Sequence, residues 1–571
     1  VVHYDIDARL DPAARTVAGR ETIAYRNFTR NSMRDMPFHL YPNAFSGTHS
    51  IYMRGTPWDD DVGLGQLRRM ERDATWGHMR ILSVEAEDGT DLTAATSIDD
   101  TVMTVPLPRP VPPGGSATLR IVWETLLPRT VHRMGVWGEH FDVMQWYPKP
   151  GVFTDAGWKM YPFHRRSEFF ADFATFLVNL TVPARFRVEA TGLPADVADL
   201  PDGTRRMTWR AEDVHDFAWV ADPHAEVSRR VVAEGPYAGS PVEVIYIHPA
   251  YRTRSAPRVL EAARHGLLYY GERFLPYPYP RMVIDGLPMG LGGGMEYPML
   301  FTVSMAWFLP RFYDAPEALT LHEFGHQYWY GILASNEFEE PWLDEGINSY
   351  VTQRALETLR PPRPGRTVTA LGAYAATRVL HEGLALPLLR LRPDLDWLFG
   401  FAETPFRPTD RGLVGYPLSP YALDLPGLGE GSFLGAREGY AGVAQDDPLT
   451  APSWGFHPGS YSGVVYDKTQ VVLTTLERLL GRAVIDAALG EYARRFRFAH
   501  PTGEDFLGVL RETARRDRPD VDLEPLLGPL FHGTGTVDFA VTTLRSREAR
   551  PPRGLLPPAR AGEPPIDRRA A

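Results

Sequence analysis

Over the first 225 residues apolar side chains recur at every second position in short runs, the spacing of strands with one buried face. Val2–Leu10 reads Val-His-Tyr-Asp-Ile-Asp-Ala-Arg-Leu, and Glu21–Tyr25 and Ser116–Trp123 follow the same alternation. Turn clusters separate such runs, among them Glu87-Asp88-Gly89 and Asp202-Gly203. Phe169–Val182 is a further predicted strand, ended by Pro183, which cannot donate to a ladder. These runs predict a large N-terminal β domain over residues 1–225.

Beyond it the period lengthens. Val242–Ile247 and Arg281–Leu287 are strand-like, and Ala256–Phe274 between them carries an amphipathic helical spacing. A capping box over Asp314–Glu317, with Pro316 in the first turn and Gly331 as the terminal cap, predicts a helix over Ala315–Tyr330. A second helix is expected from about Pro341, stopping before Pro361 and Pro362. Residues 391–460 are rich in Pro and Gly without periodicity, which predicts a long surface insertion. Helical spacing returns at Asp467–Leu480, Ala483–Arg497 and Gly503–Arg515. The expected order is therefore a β domain over 1–225, a mainly helical domain over 226–535, and a short β remnant with a disordered Pro/Arg-rich tail over 536–571. The fold class is multidomain α+β.

Composition narrows the chemistry. With 44% hydrophobic and 12% aromatic residues the chain of 571 residues has material for more than one core. Its net charge of −11 disfavours nucleic acid and anionic membranes as partners. No apolar run reaches the roughly 18 residues of a spanning helix. There is no cysteine, so disulfides and thiolate metal sites are excluded, and any metal must sit on His and carboxylate. Lysine occurs only at positions 149, 159 and 468, leaving scattered Arg as the main positive charge. The chain begins at Val1 without Met, which suggests a removed leader and slightly favours export to the periplasm or exterior over the cytoplasm.

Against that background one pattern carries chemistry. The first long helix contains His322-Glu323-Phe324-Gly325-His326. Residues four apart lie about 40° from one another around a helix, so both imidazoles project from one face, one turn apart. That is the reach needed to share a zinc ion, with Glu323 beside the face, able to address a metal-bound water. A hydrolytic zinc takes a third protein ligand and keeps one open position. Eighteen residues separate His326 from Glu345, which stands within Trp342-Leu-Asp-Glu-Gly346 in the first turns of the next helix.

This arrangement resembles the aminopeptidase N family of zinc metallopeptidases within the gluzincin clan. Thermolysin-type endopeptidases share the histidine pair but place the third ligand one residue further on. Gly292-Gly-Gly-Met-Glu296, 26 residues ahead of His322, is similar to the family's Gly-x-Met-Glu-Asn signature. Glycine permits a substrate backbone to approach an exposed edge strand, and a glutamate at its end can hold a free α-ammonium. Here Tyr297 stands where the family usually has Asn. Gly292 stands where members often carry a bulky residue, which implies a roomy first side-chain pocket. Tyr461-Ser-Gly-Val-Val-Tyr466-Asp-Lys468 is similar to the segment with the family's catalytic tyrosine.

The resemblance implies a thermolysin-like catalytic domain after the β domain and one Zn2+ per chain on His322, His326 and Glu345. It implies Glu323 as general base, Tyr466 as oxyanion donor, and peptides with a free N-terminus as substrates. Glu296 would hold that N-terminus, Gly293 and Gly294 would line the substrate backbone, and Tyr461 would line its pocket. Glu139, with Gln145 as a rival, would be a second ammonium partner. The alternatives are an endopeptidase on the same scaffold and a catalytically silent binding protein.

Overall fold

The computed structural model describes residues 2–55, 70–129, 133–288, 293–304, 315–360 and 431–535, with two short strands at Leu555–Leu556 and Ile566–Asp567. Residues up to Thr534 form one compact unit and Gly535–Ala571 another. In the second unit those two strands pair antiparallel.

The first strand, Val2–Asp11, alternates as its sequence does: Val2, Tyr4, Ile6, Ala8 and Leu10 are buried, and the residues between them face outward. It lies inside a seven-stranded sheet in the spatial order Leu193–Asp199, Thr204–Val214, Ala174–Pro183, Val2–Asp11, Thr16–Arg26, Ser116–Leu126, His78–Ala86. All neighbours are antiparallel except Val2–Asp11 with Ala174–Pro183. The strand expected over Phe169–Val182 thus starts at Ala174. Phe169, Phe170 and Phe173 precede it as buried, non-strand residues that pack as anchors. A smaller four-stranded sheet runs in the order Arg187–Ala190, Trp219–Asp222, His140–Val143, Gly135–Trp137.

Glu226–Val232 opens a different sheet, ordered Glu226–Val232, Val242–His248, Arg281–Gly286, Leu300–Ser304, Gly293–Tyr297. Its central strand Arg281–Gly286 is buried at every position, as a strand covered on both faces requires. Gly293–Tyr297 is the edge strand and runs antiparallel to its neighbour. Helix Ala256–Arg273 packs on the helix Ala315–Trp329 through Gly266, where a Cβ would press into the Phe324 ring. Gln327 ties the second of these helices to the sheet: its Nε2 donates to the Tyr297 carbonyl at 2.9 Å, and its Oε1 accepts from Met299 N at 2.8 Å.

Helix ends differ from expectation in informative ways. Asp314 lies outside the described residues, and Glu317 gives its carboxylate to Arg258 and Arg360. Gly331 closes the helix with a bond from its N–H to the His326 carbonyl at 2.7 Å. Pro341–Leu343 is a 3-10 turn, so the next helix proper is Glu345–Leu359. Gly463–Lys468 is a π-helical turn leading into helix Thr469–Leu480. Within the span expected to be a surface insertion, Gly431–Ala441 is an α-helix, and it packs so closely that a Cβ on Gly439 would overlap Asp467. Residues 391–430 lie outside the described residues. No helix among the described residues is long and apolar enough to cross a membrane.

Candidate active site

His322 and His326 stand one turn apart on helix Ala315–Trp329, and Glu345 opens helix Glu345–Leu359 beside it. The ring nitrogens His322 Nε2 and His326 Nε2 are 3.2 Å apart, and Glu345 Oε2 lies 3.2 Å from the first and 3.3 Å from the second. These separations are close to the edge of a tetrahedron with metal bonds of about 2.0–2.1 Å. Glu345 Oε2 is buried and makes no hydrogen bond, which leaves it directed at the shared point.

The helices meet closely because the contact residues are small. A Cβ on Gly346 would overlap Thr469, and one on Gly325 would overlap Asn348 and the Tyr270 hydroxyl. Asn348 uses that space: its Nδ2 donates to the His322 carbonyl at 2.8 Å. Asp344 Oδ1 sits 2.7 Å from His326 Nδ1, which fixes the ring with Nε2 turned toward Glu345. Behind Asp344 lies Glu337, buried and raised well above the usual carboxylate range by burial and then by Asp344. Sequence reasoning missed these three residues. Asp344 was visible as the acid beside Glu345, whereas nothing local marks Glu337 or Asn348.

Glu323 is buried, and burial raises its carboxyl well above the ordinary value; His326 opposes this, while Glu296 and Glu345 add to it. One of its oxygens, Oε2, has no hydrogen-bond partner. Gly294 lies against it so closely that a Cβ there would overlap the Glu323 carboxyl. Gly293 has φ +84°, in the left-handed region that favours glycine. Glu296, on the same edge strand, is buried with Oε1 unpartnered, and burial pushes its carboxyl up to about 7. Its neighbour Tyr297 is buried, donates to the Arg133 carbonyl and stacks with Phe169 at 6.2 Å. At this position the chain has a core anchor. Gly292 lies outside the described residues.

Tyr466 in the π-helical turn donates its hydroxyl to Glu345 Oε1, and its ring lies 6.2 Å from that of His322. Burial, then Glu345, raises the phenol well above its usual range, so it remains a donor. Tyr461 packs edge-on to Tyr466 at 6.4 Å and to Phe456 at 5.3 Å.

Glu139 is not brought here. It sits in the turn between strands Gly135–Trp137 and His140–Val143, half exposed, and its carboxylate pairs with Arg185 at 2.6 Å and His224 at 2.9 Å. Arg185 and His224 already occupy its carboxylate, which corrects its expected role. Gln145 is buried instead, its Nε2 donating to Asp216 at 2.5 Å and its Oε1 accepting from Lys149 at 2.7 Å.

No protein-family model matches the chain. Several solved structures share its fold. The M1 zinc metallopeptidase of Deinococcus radiodurans is 15% identical, with a TM-score of 0.58 over 94% of both chains. A mutant of that protein bound to a Tyr-Ser-Ala substrate gives 0.57 at 15% identity, again over 94% of each chain. Aminopeptidase A of Legionella pneumophila, in complex with aspartic acid, gives 0.56 at 13% identity, covering 91% of this chain and 48% of its own. At such identities the likeness is one of fold: a β-rich N-terminal region followed by a mainly helical one, as expected from sequence.

Proposed function

We propose that the chain is a zinc-dependent aminopeptidase, removing residues from peptides with a free N-terminus. One observation carries the reading. The edge strand Gly293–Tyr297 places the unpartnered, buried carboxyl of Glu296 beside the same cluster into which Glu345 and Glu323 direct unpartnered oxygens. The shared fold of the M1 zinc metallopeptidases supports it.

The donor set suits zinc. Two imidazoles and one carboxylate, with no thiolate in the chain, leave a fourth position open. When bound there, zinc lowers the pKa of a water toward about 7 and polarises a carbonyl as a Lewis acid. Glu323 accepts the proton of the attacking water and returns it to the leaving amine. Its raised carboxyl makes it a better acceptor than an exposed glutamate. Tyr466 transfers its hydrogen bond from Glu345 to the oxyanion as that charge develops. Glu296 holds the substrate ammonium, which sets the cut one residue from the N-terminus. Gly293 and Gly294 admit the substrate backbone to the strand, and Tyr461 lines the pocket.

The test compares amino-acid amides with their N-acetylated forms in the parent and in Glu296→Ala. Removing one partner of a desolvated charge pair costs about 2–5 kcal/mol, so the variant should lose roughly 30-fold or more in kcat/KM on free amines. Acetylation should hurt the parent far more than the variant. Equal parental rates on both forms would point to an endopeptidase, and no hydrolysis of either by zinc-loaded protein to a silent binding protein.

A further inference from the structure

A second cluster of the same chemistry lies between two sheets and plays no part in the proposed reaction. His140 and Asp142 stand two residues apart on strand His140–Val143 of the small N-terminal sheet, and so share a face. Asp285 comes from Arg281–Gly286, the central strand of the five-stranded sheet. All three are buried, with exposures of 4%, 1% and 0%.

Their polar atoms are unsatisfied. His140 Nε2 and both carboxylate oxygens of Asp142 and of Asp285 have no hydrogen-bond partner. Groups of this kind inside a protein are held by a hydrogen bond, an opposite charge or a metal. The surroundings are apolar: Val220, paired with Asp142, and Ile247, paired with Asp285, belong to one buried hydrophobic cluster.

The tautomer of His140 is set from behind. Asp222 Oδ2 lies 3.1 Å from Nδ1, and its Oδ1 accepts from His224 N at 2.6 Å. An Nδ1–H held by a carboxylate leaves the Nε2 lone pair facing the other two residues, the arrangement found behind metal-bound histidines. His326 has the same relation to Asp344 in the candidate active site.

From Nε2, Asp142 Oδ1 is 3.2 Å away and Asp285 Oδ2 is 3.3 Å away. In the His322–His326–Glu345 trio the two distances from Glu345 Oε2 are the same, 3.2 and 3.3 Å. One nitrogen with two oxygens at tetrahedral-edge distance from it, all within 4.8 Å of one another, suits zinc, whereas calcium needs about six to eight oxygens at longer range. Two carboxylates and a neutral imidazole also balance a divalent cation in charge.

We propose that His140, Asp142 and Asp285 form a second, structural zinc site that ties the N-terminal sheet to the strand layer carrying Glu296. Asp222 is a positioning residue, acting through the His140 ring. Asp285 is paired directly with Thr302 of Leu300–Ser304, which in turn pairs with the edge strand, so the ion braces the sheet on which the substrate is proposed to lie. A proton on His140 is the competing way to settle these charges: burial lowers the imidazole, but Asp285 and Asp142 raise it well above its usual range, and such an ion pair requires no second ion.

The experiment is a metal count by mass spectrometry on protein equilibrated with buffered Zn2+, joined to anomalous scattering at the zinc edge from crystals of the same material. The parent should hold two equivalents, with the second peak between His140, Asp142 and Asp285. His322→Ala should retain one equivalent, and that one should disappear on adding Asp142→Asn. Asp285→Asn alone should hold one equivalent, at the His322 site, and melt at lower temperature. A single equivalent in the parent that His322→Ala removes, or an unchanged count in Asp285→Asn, overturns the proposal. Should Asp285→Asn fail to fold, the equivalent remaining in His322→Ala and the anomalous peak decide the question. A count that falls with Asp285→Asn but not with His322→Ala would sink the proposed catalytic site and leave this one standing.

Discussion

Gly294 and the Glu323 carboxyl press on the same small volume from opposite sides, strand from one and helix from the other. A methyl group at position 294 must therefore displace the carboxyl proposed to move the proton. Gly294→Ala is expected to resemble Glu323→Gln: zinc retained, turnover reduced by about 10²-fold or more, the scale of a lost general base. Near-parental turnover with Gly294→Ala would show that the carboxyl has room to move without consequence. Tyr466 makes a second residue-scale case. Because its phenol stays protonated and points at a proposed ligand, Tyr466→Phe removes a donor while keeping the ring. Losing one oxyanion donor costs about 10²–10³ in kcat, with little change in KM because that charge exists only after attack. Tyr461→Phe should be milder. Steady-state kinetics and zinc content of both variants check this, and the large defect falling on Tyr461→Phe would exchange the two assignments.

At the scale of elements, the strands were legible because burial on one face is written directly into alternation, as in Val2–Asp11. The histidine pair and Glu345 were legible because helical spacing and a short connection bring them together. Tyr466 was legible only through its surrounding segment: a π-helical turn presents it, and that local widening leaves no mark in a 3.6-residue period. Helix Gly431–Ala441 was hidden in a Gly-rich sequence, of which Gly439 serves close packing against Asp467. Glu139 misled because sequence does not show that Arg185 and His224 reach it first. Glu21 is a conflict of another kind, a carboxyl at an inward position of strand Thr16–Arg26, buried and with neither oxygen hydrogen-bonded. Burial raises it well above the usual carboxylate range. The unfolded chain releases this proton near pH 4.5 and the folded chain only at higher pH. Stability is thus unaffected below that point and declines above it, by about 1.4 kcal/mol per pH unit while only the unfolded state is ionised. Glu21→Met should accordingly stabilise the protein more at pH 8 than at pH 5. Denaturant melts at the two pH values test this, and an equal gain at both would mean that the carboxyl ionises alike in the two states.

Across the whole molecule, the N-terminal sheets and the sheet beginning at Glu226 are joined by buried polar contacts as well as by apolar packing. Arg281 is the clearest of these. It starts the central strand of the five-stranded sheet, yet its guanidinium reaches back to Glu189, donates to the Ala190 and Gly192 carbonyls at 3.1 and 3.3 Å, and covers the Trp209 ring at 5.2 Å. Thr191 extends the seam by donating to the Pro298 carbonyl at 2.9 Å. Glu189 is raised by burial and drawn back down by Arg281, the mark of a charge that depends on its partner. Removing one member of a buried pair leaves the other uncompensated, at a cost of about 3–5 kcal/mol. Arg281→Ala should fall toward the lower end, since the largely exposed Arg229 stands 3.6 Å from Glu189. Because the seam is polar and specific, the parent should unfold by calorimetry in one transition. Arg281→Ala should lower that transition without splitting it, and Glu189→Met added to Arg281→Met should recover part of the loss by removing the stranded charge. Two resolved transitions in the parent, only one of them moved by Arg281→Ala, would show that the regions hold together weakly and that the seam follows their folding instead of sharing in it.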